Sequence, residues 1–265
     1  MGELPKRIAT GLVLVAVAVV ALWLGGLAFA ALAAAAVLIM WAEWSAMHRL
    51  PMPVRRIGLA VLALTLWITA VLQNANEGLM LLGGAAGVLM IMAGKLKRGA
   101  GRPAAIGLLY CGLPGIALVW LRGQGWGLYA CLLLMLVVWG ADIVAYFTGR
   151  ALGGPKLAPA ISPNKTWSGA IGGLAGAVGA ALLLMLVWPG YANASGAMRL
   201  AMLALPLAVL SILGDLYESW LKRRAGVKDS GSILPGHGGV MDRLDGLVPV
   251  AVAGAGMFAA TGWAG

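Results

Sequence analysis

Charge is what this sequence has least of: 11% of its 265 residues are Asp, Glu, Lys or Arg, and nine are acidic. A soluble domain carries about a quarter charged residues, so a chain that is also 62% hydrophobic cannot cover itself with a water-facing surface. Cysteine and histidine are nearly as scarce, at two each. Cys111 and Cys131 lie in apolar segments without metal-ligand spacing and read as small packed hydrophobes, which leaves no donor set for zinc. A GxxxxGK loop is missing, as is a GxGxxG turn after a strand, so the usual soluble nucleotide folds are excluded. Repeats of fixed period and low-complexity stretches are missing too. The apolar stretch after Lys6 and Arg7 is read as a retained span, since no small-residue cleavage site leads from it into a soluble domain.

What fills the sequence is hydrocarbon, with a mean hydropathy of +0.93. Apolar runs long enough to cross about 30 Å of lipid recur throughout. They predict an all-α polytopic membrane protein of nine spans: 8–24, 27–47, 57–72, 78–93, 104–121, 127–148, 168–188, 198–221 and 247–263. Half of the 40 glycines lie inside these runs, where small residues let helices approach closely. The chain reads as one integral membrane domain, 1–265, with its catalytic part at about 137–250.

A net charge of +10 raises the question of nucleic acid, and the distribution answers it. With the N-terminus cytoplasmic, every basic residue except Arg122 and Arg199 falls in an inside segment, as the positive-inside rule requires. The basic residues set topology and meet anionic lipid headgroups, and no nucleic-acid partner is expected. Two inside loops, 149–167 and 222–246, are long and polar, so the chemistry is expected on the cytoplasmic face.

Glu3, Glu43 and Glu77 lie near span ends and read as solvated interfacial groups. Asp215 and Glu218 stand three apart on the eighth span and share a face, with Lys222 one turn on. Asp242 and Asp245 stand three apart before the ninth span, and Asp142 is near the inner end of the sixth. Carboxylates converging in low dielectric repel unless protons or cations sit among them. Hard, oxygen-liganded Mg²⁺ suits such a set; structural ion pairs with Lys222, Arg223 and Arg243 are the alternative. Pro235-Gly236-His237-Gly238-Gly239, flanked by Lys228 and Arg243, offers bare backbone N–H groups to phosphate, although a lone histidine such as His237 is more often a turn or hydrogen-bonding residue than a ligand. In the other loop Lys156, Ser162, Lys165 and Thr166 could donate to a triphosphate, or the loop could simply rest on lipid headgroups, anchored by Trp167.

These residues fall into a recognisable pattern. The segment Ser219-x-Leu221-Lys222-Arg223-x4-Lys228-Asp229-x-Gly231-x2-Leu234-Pro235-x-His237-Gly238-Gly239-Val240-x-Asp242-Arg243-Leu244-Asp245 resembles the hallmark of the phosphatidate cytidylyltransferases. A second block resembles the same family: Asp142-x2-Ala145-Tyr146-Phe147-x-Gly149-Arg150, Lys156-Leu157-Ala158-Pro159 and Ser162-Pro163-x-Lys165-Thr166-Trp167. Ser168 stands where many members carry glutamate, and Ile143 where many carry a hydroxyl residue.

The resemblance implies that CTP and phosphatidate react to give CDP-diacylglycerol and pyrophosphate. It implies catalytic roles for Asp215, Asp242, Asp245, Lys222 and Arg243. Lys156, Ser162, Lys165, Thr166, Arg223, Lys228, His237, Gly238 and Gly239 would bind substrate. Asp142, Asp215, Asp242 and Asp245 would hold one or two divalent cations, Mg²⁺ above all, with a monovalent companion left open. A bacterial inner membrane is the expected setting, with membrane lipids as neighbours and homodimer formation left open. A secondary transporter fits less well, because the span count is odd and no inverted halves are evident. A CDP-alcohol phosphotransferase lacks its Asp-Gly-x2-Ala-Arg start, since Asp245-Gly246 runs on as Leu247-Val248-Pro249.

Overall fold

The computed structural model describes residues 3–188, 194–234, 236 and 238–261. Ten helices and one short hairpin make up these residues: α1 (Glu3–Leu24), α2 (Gly26–Met47), α3 (Met52–Leu72), α4 (Ala75–Leu96), α5 (Gly101–Gly123), α6 (Gly127–Leu152), β1 (Lys156–Ala158), β2 (Ser162–Thr166), α7 (Trp167–Val187), α8 (Ala194–Ala225), α9 (Met241–Leu244) and α10 (Leu247–Thr261). Each expected span overlaps a helix, the last two residues of the ninth, 262 and 263, lying outside the described residues. Among the described residues seven helices, α2 to α8, are long and apolar enough to cross a membrane, while α1 and α10 contain shorter apolar stretches. The architecture is that of an all-α polytopic membrane protein. The hairpin departs from it, in a loop where no strand was expected.

The chain gathers into two compact units, Met1–Leu128 with Arg224–Leu244, and Tyr129–Arg223 with Asp245–Gly265. In the first unit α2 lies against α3 and α5, and α4 against α5. Two fully buried tryptophans tie α2 in place: Trp41 Nε1 donates to Arg55 O at 2.9 Å and Trp44 Nε1 to Pro103 O at 2.8 Å. An indole N–H without a partner is costly in an apolar interior, so these bonds fix the depth of α2. Between α1 and α2 the turn is a single residue, Gly25, at φ 63°, a conformation glycine adopts without penalty. Arg122 closes that corner by donating from Nε to Leu22 O at 2.7 Å and from Nη2 to Trp23 O at 3.2 Å. Those carbonyls end α1 and have no partner within the helix, which gives a structural use to one of the two basic residues outside the charge alternation.

In the second unit α6 and α7 pack through small residues: a Cβ on Gly140 would lie 2.7 Å from Gly176 O and from Ala180 Cβ. Such close approach is how helices adhere where no hydrophobic effect drives them together. β1 and β2 pair antiparallel, with Lys156 opposite Thr166 and Ala158 opposite Ser162. Thr166 then caps α7, accepting from Gly169 N at 3.1 Å. Ser168 braces the same corner through Thr166 Oγ1 at 3.0 Å and through a hydrogen bond to Gly153 O.

Candidate active site

The second unit collects four acidic side chains from three segments. Asp142 comes from α6, Asp215 and Glu218 from α8, and Asp245 from the turn before α10. Asp215 accepts from Ser219 Oγ at 3.3 Å and pairs with Lys165 Nζ at 2.5 Å. Because Lys165 sits on β2, the hairpin loop and α8 meet at this carboxylate. Glu218 is fully buried and pairs with Lys222 Nζ at 3.1 Å, one helical turn away.

Asp245 lies outside the helices, between α9 and α10, and accepts from Gly246 N at 2.8 Å. Burial pushes its carboxyl up to about 7, and the negative charges of Asp215 and Asp142 add to the rise. The Gly246 amide and the adjoining Glu218 side chain oppose it. The cluster therefore has more negative charge than its own lysines neutralise. Its donors are all oxygens, so it fits a hard cation such as Mg²⁺ by chemistry. Among the described residues, no three His, Cys, Asp or Glu side chains already stand grouped as a metal site.

The first unit carries the rest of the motif as a folded loop. Leu234 N donates to Gly238 O at 3.0 Å, and Gly236 and Gly238 have φ of 73° and 83°. Asp242 Oδ2 accepts from Ser230 N at 2.9 Å, Ser230 Oγ at 3.0 Å and Gly239 N at 2.8 Å. Gly239 was expected to offer its N–H to phosphate, but this amide is committed to Asp242. Lys228 and Arg243 are exposed, and His237 lies outside the described residues.

Glu43 corrects the sequence reading. It is 7% exposed rather than solvated. Its Oε1 accepts from Val240 N at 2.8 Å, and its Oε2 from Met241 N at 2.8 Å and Ser230 Oγ at 3.1 Å. The signal was present in the sequence, for an acidic residue inside the apolar run Met40-Trp41-Ala42-Glu43-Trp44 needs a partner. The partners were illegible because they lie 187 to 198 positions away.

The other expected residues distribute as follows. Lys165, Asp215, Lys222, Asp245 and Asp142 belong to the one acidic cluster. Lys156 and Ser162 lie on the hairpin, Lys156 exposed and Ser162 half-buried. Thr166 is buried, and its hydroxyl is engaged as the α7 cap. Arg223 is exposed at the end of α8.

Comparison with known proteins places these features in a lineage. The profile of a cytidylyltransferase family matches residues 5–260. A phosphatidate cytidylyltransferase of Brucella abortus is 44% identical over 256 residues, 95% of this chain and 92% of that protein. Proteins of the same name from Pseudomonas aeruginosa and Haemophilus influenzae are 46% and 44% identical over 131 and 126 residues, covering 49% and 46% of this chain and 47% and 42% of theirs.

Proposed function

The chain belongs to the cytidylyltransferase family and is a nucleotidyltransferase; from that membership we propose that it joins CTP to phosphatidate, giving CDP-diacylglycerol and pyrophosphate. The observation that carries this reading is the 44% identity, over 95% of the chain, to a relative named for that activity. A phosphate oxygen of the lipid attacks the α-phosphorus of CTP, the bond from that phosphorus to the α,β-bridging oxygen breaks, and pyrophosphate leaves. Nucleophile and leaving group are both anionic, so positioning and charge neutralisation matter more than a strong base.

The second unit supplies groups suited to this work. Lys165 is an accessible cation that can exchange Asp215 for a phosphate oxygen, and Lys156 and Arg223 are further exposed cations. Lys222 balances Glu218 and keeps the acidic face of α8 in place. Asp215 and Asp245, with Asp142, are the residues that would hold Mg²⁺. When bound, the ion would neutralise phosphate oxygens as charge shifts onto pyrophosphate. In the first unit Asp242 orders the motif loop, which Lys228 and Arg243 flank. The charge alternation and the bacterial relatives support an inner-membrane protein with this chemistry on the cytoplasmic face.

The test is incorporation of radiolabelled CTP by purified, detergent-solubilised protein supplied with phosphatidate. Label should pass into a chloroform-soluble product with one pyrophosphate released per transfer, stop on chelation and return with Mg²⁺. Failure to label lipid under these conditions, by protein still folded, overturns the reading.

A further inference from the structure

We propose that Glu43 is a positioning residue of this transfer, a role that rests on the reading above: its carboxylate fixes the two ends of the motif loop, Ser230 at one and Val240 with Met241 at the other. Glu43 lies outside both motif blocks, on α2. Burying a carboxylate is costly where an apolar side chain would pack as well, so its presence needs a reason beyond filling space. That reason is geometric. Two successive amides, Val240 and Met241, both aim at it, each at 2.8 Å. Only a group that accepts on both oxygens satisfies both amides; a glutamine would turn its NH₂ toward one of them.

The loop also closes tightly on this side chain. A Cβ added to Gly231 would lie 2.7 Å from Glu43 Oε1, and one on Gly239 would lie 2.6 Å from the same atom. Ser230 Oγ reaches Glu43 Oε2 at 3.1 Å and Asp242 Oδ2 at 3.0 Å, so one hydroxyl bridges the two carboxylates. Glu43 and Asp242 thus hold the same loop side by side, one through the Val240 and Met241 amides and the other through those of Ser230 and Gly239. Among the described residues, the three hydrogen bonds that fix Glu43 all lead into the motif loop, none into a neighbouring span. A helix-packing residue would show the reverse.

The experiment compares purified wild type with Glu43→Gln, Glu43→Asp and Gly231→Ala in steady-state CTP transfer and in limited trypsin digestion. Glu43→Gln should lower kcat about 30-fold with both KM values within about twofold. Trypsin should then cut after Lys228 and Arg243 about tenfold faster, while cutting after the exposed Arg98 stays at the wild-type rate. Glu43→Asp keeps the charge on a shorter arm and should recover part of kcat. Gly231→Ala, which presses on Glu43 from the loop side, should reproduce the loss with the carboxylate in place. Unchanged kcat in Glu43→Gln overturns the proposal, as does faster cutting at all three sites together, which marks general unfolding. If Glu43→Gln does not fold, normal kcat in both Gly231→Ala and Ser230→Ala overturns it. A wild-type protein without cytidylyl transfer sinks the functional reading instead, and the digestion pattern alone then decides whether Glu43 holds the loop.

Discussion

Lys165 and Asp215 meet at 2.5 Å, the one on β2 of the hairpin and the other in the C-terminal half of α8. Their side chains are 27% and 31% exposed, which decides how the pair should be read. An ion pair this accessible is screened, and adds about 1 kcal/mol or less to stability. Its value lies in exchange, because an ammonium that water can reach is one that a triphosphate can capture.

Lys165→Ala should therefore cost little stability and much activity. The melting temperature should stay within a degree or two of wild type, while kcat/KM for CTP falls on the order of 30-fold or more through loss of a charge-assisted contact. Steady-state kinetics at varied CTP, beside a thermal melt in the same detergent, read both quantities. Wild-type kinetics would return the hairpin to the role of a headgroup-resting loop.

Lys222→Met makes the opposite prediction from a superficially similar pair. Glu218 is fully buried where it meets Lys222. Removing the lysine strands a buried carboxylate, which costs about 3–5 kcal/mol. The expected outcome is a loss of folded, monodisperse protein, measured by size-exclusion yield and thermal melting. The double variant Glu218→Gln with Lys222→Met should recover most of it, since no unpaired charge is left behind.

Much of this division could be read from the sequence. The spans follow from apolar runs that only a membrane accommodates, and Asp215, Glu218 and Lys222 fall on one helical face because three- and four-residue spacings do so on any helix. Motif spacing alone marked out the stretch from Ser219 to Asp245. What stayed hidden depends on distance along the chain. Glu43 looked like a span-end residue because its partners come from the far end of the sequence. Likewise Thr166 looked like a ligand donor, although a seventh span expected from 168 already put it where a helix needs its cap. Ser168, in a place where glutamate is common among similar proteins, proves to brace the hairpin corner against Gly153.

Asp245 predicts a dependence on pH and on Mg²⁺ that can be read without any substrate. Its carboxyl titrates near 3.8 when unfolded and near 7 in the folded chain, so the folded state binds this proton more tightly. The stability this contributes is complete below about pH 4 and is lost as pH rises through 7, amounting to a few kcal/mol. In chelator, wild type should melt higher at pH 5.5 than at pH 8, and Asp245→Asn should flatten the difference. Proton and cation compete for the same oxygens, so added Mg²⁺ should raise the wild-type melting temperature more at pH 8 than at pH 5.5. An equal Mg²⁺ effect in Asp245→Asn would remove this residue from the ligand set.

Two alanine substitutions separate the motif loop from the bulk of the protein. On Gly239 a Cβ would stand 2.1 Å from Ser230 Oγ and 2.6 Å from Glu43 Oε1, whereas on Gly256 it would meet nothing within 4 Å. Gly239→Ala must then push Ser230 out of the bridge between the two carboxylates, breaking bonds that each contribute about 1.5–3 kcal/mol when the acceptor is charged. Gly256→Ala, inside α10, replaces the poorest non-proline helix former with the best and should hold or raise stability by up to about 1 kcal/mol. CTP transfer should accordingly collapse in Gly239→Ala, by about a hundredfold, and persist in Gly256→Ala, with thermal melts recorded on the same samples. If both variants keep full activity, the close fit around Ser230 carries no weight in the reaction. If both lose it, the loss belongs to helix packing in general rather than to the loop that Glu43 and Asp242 hold.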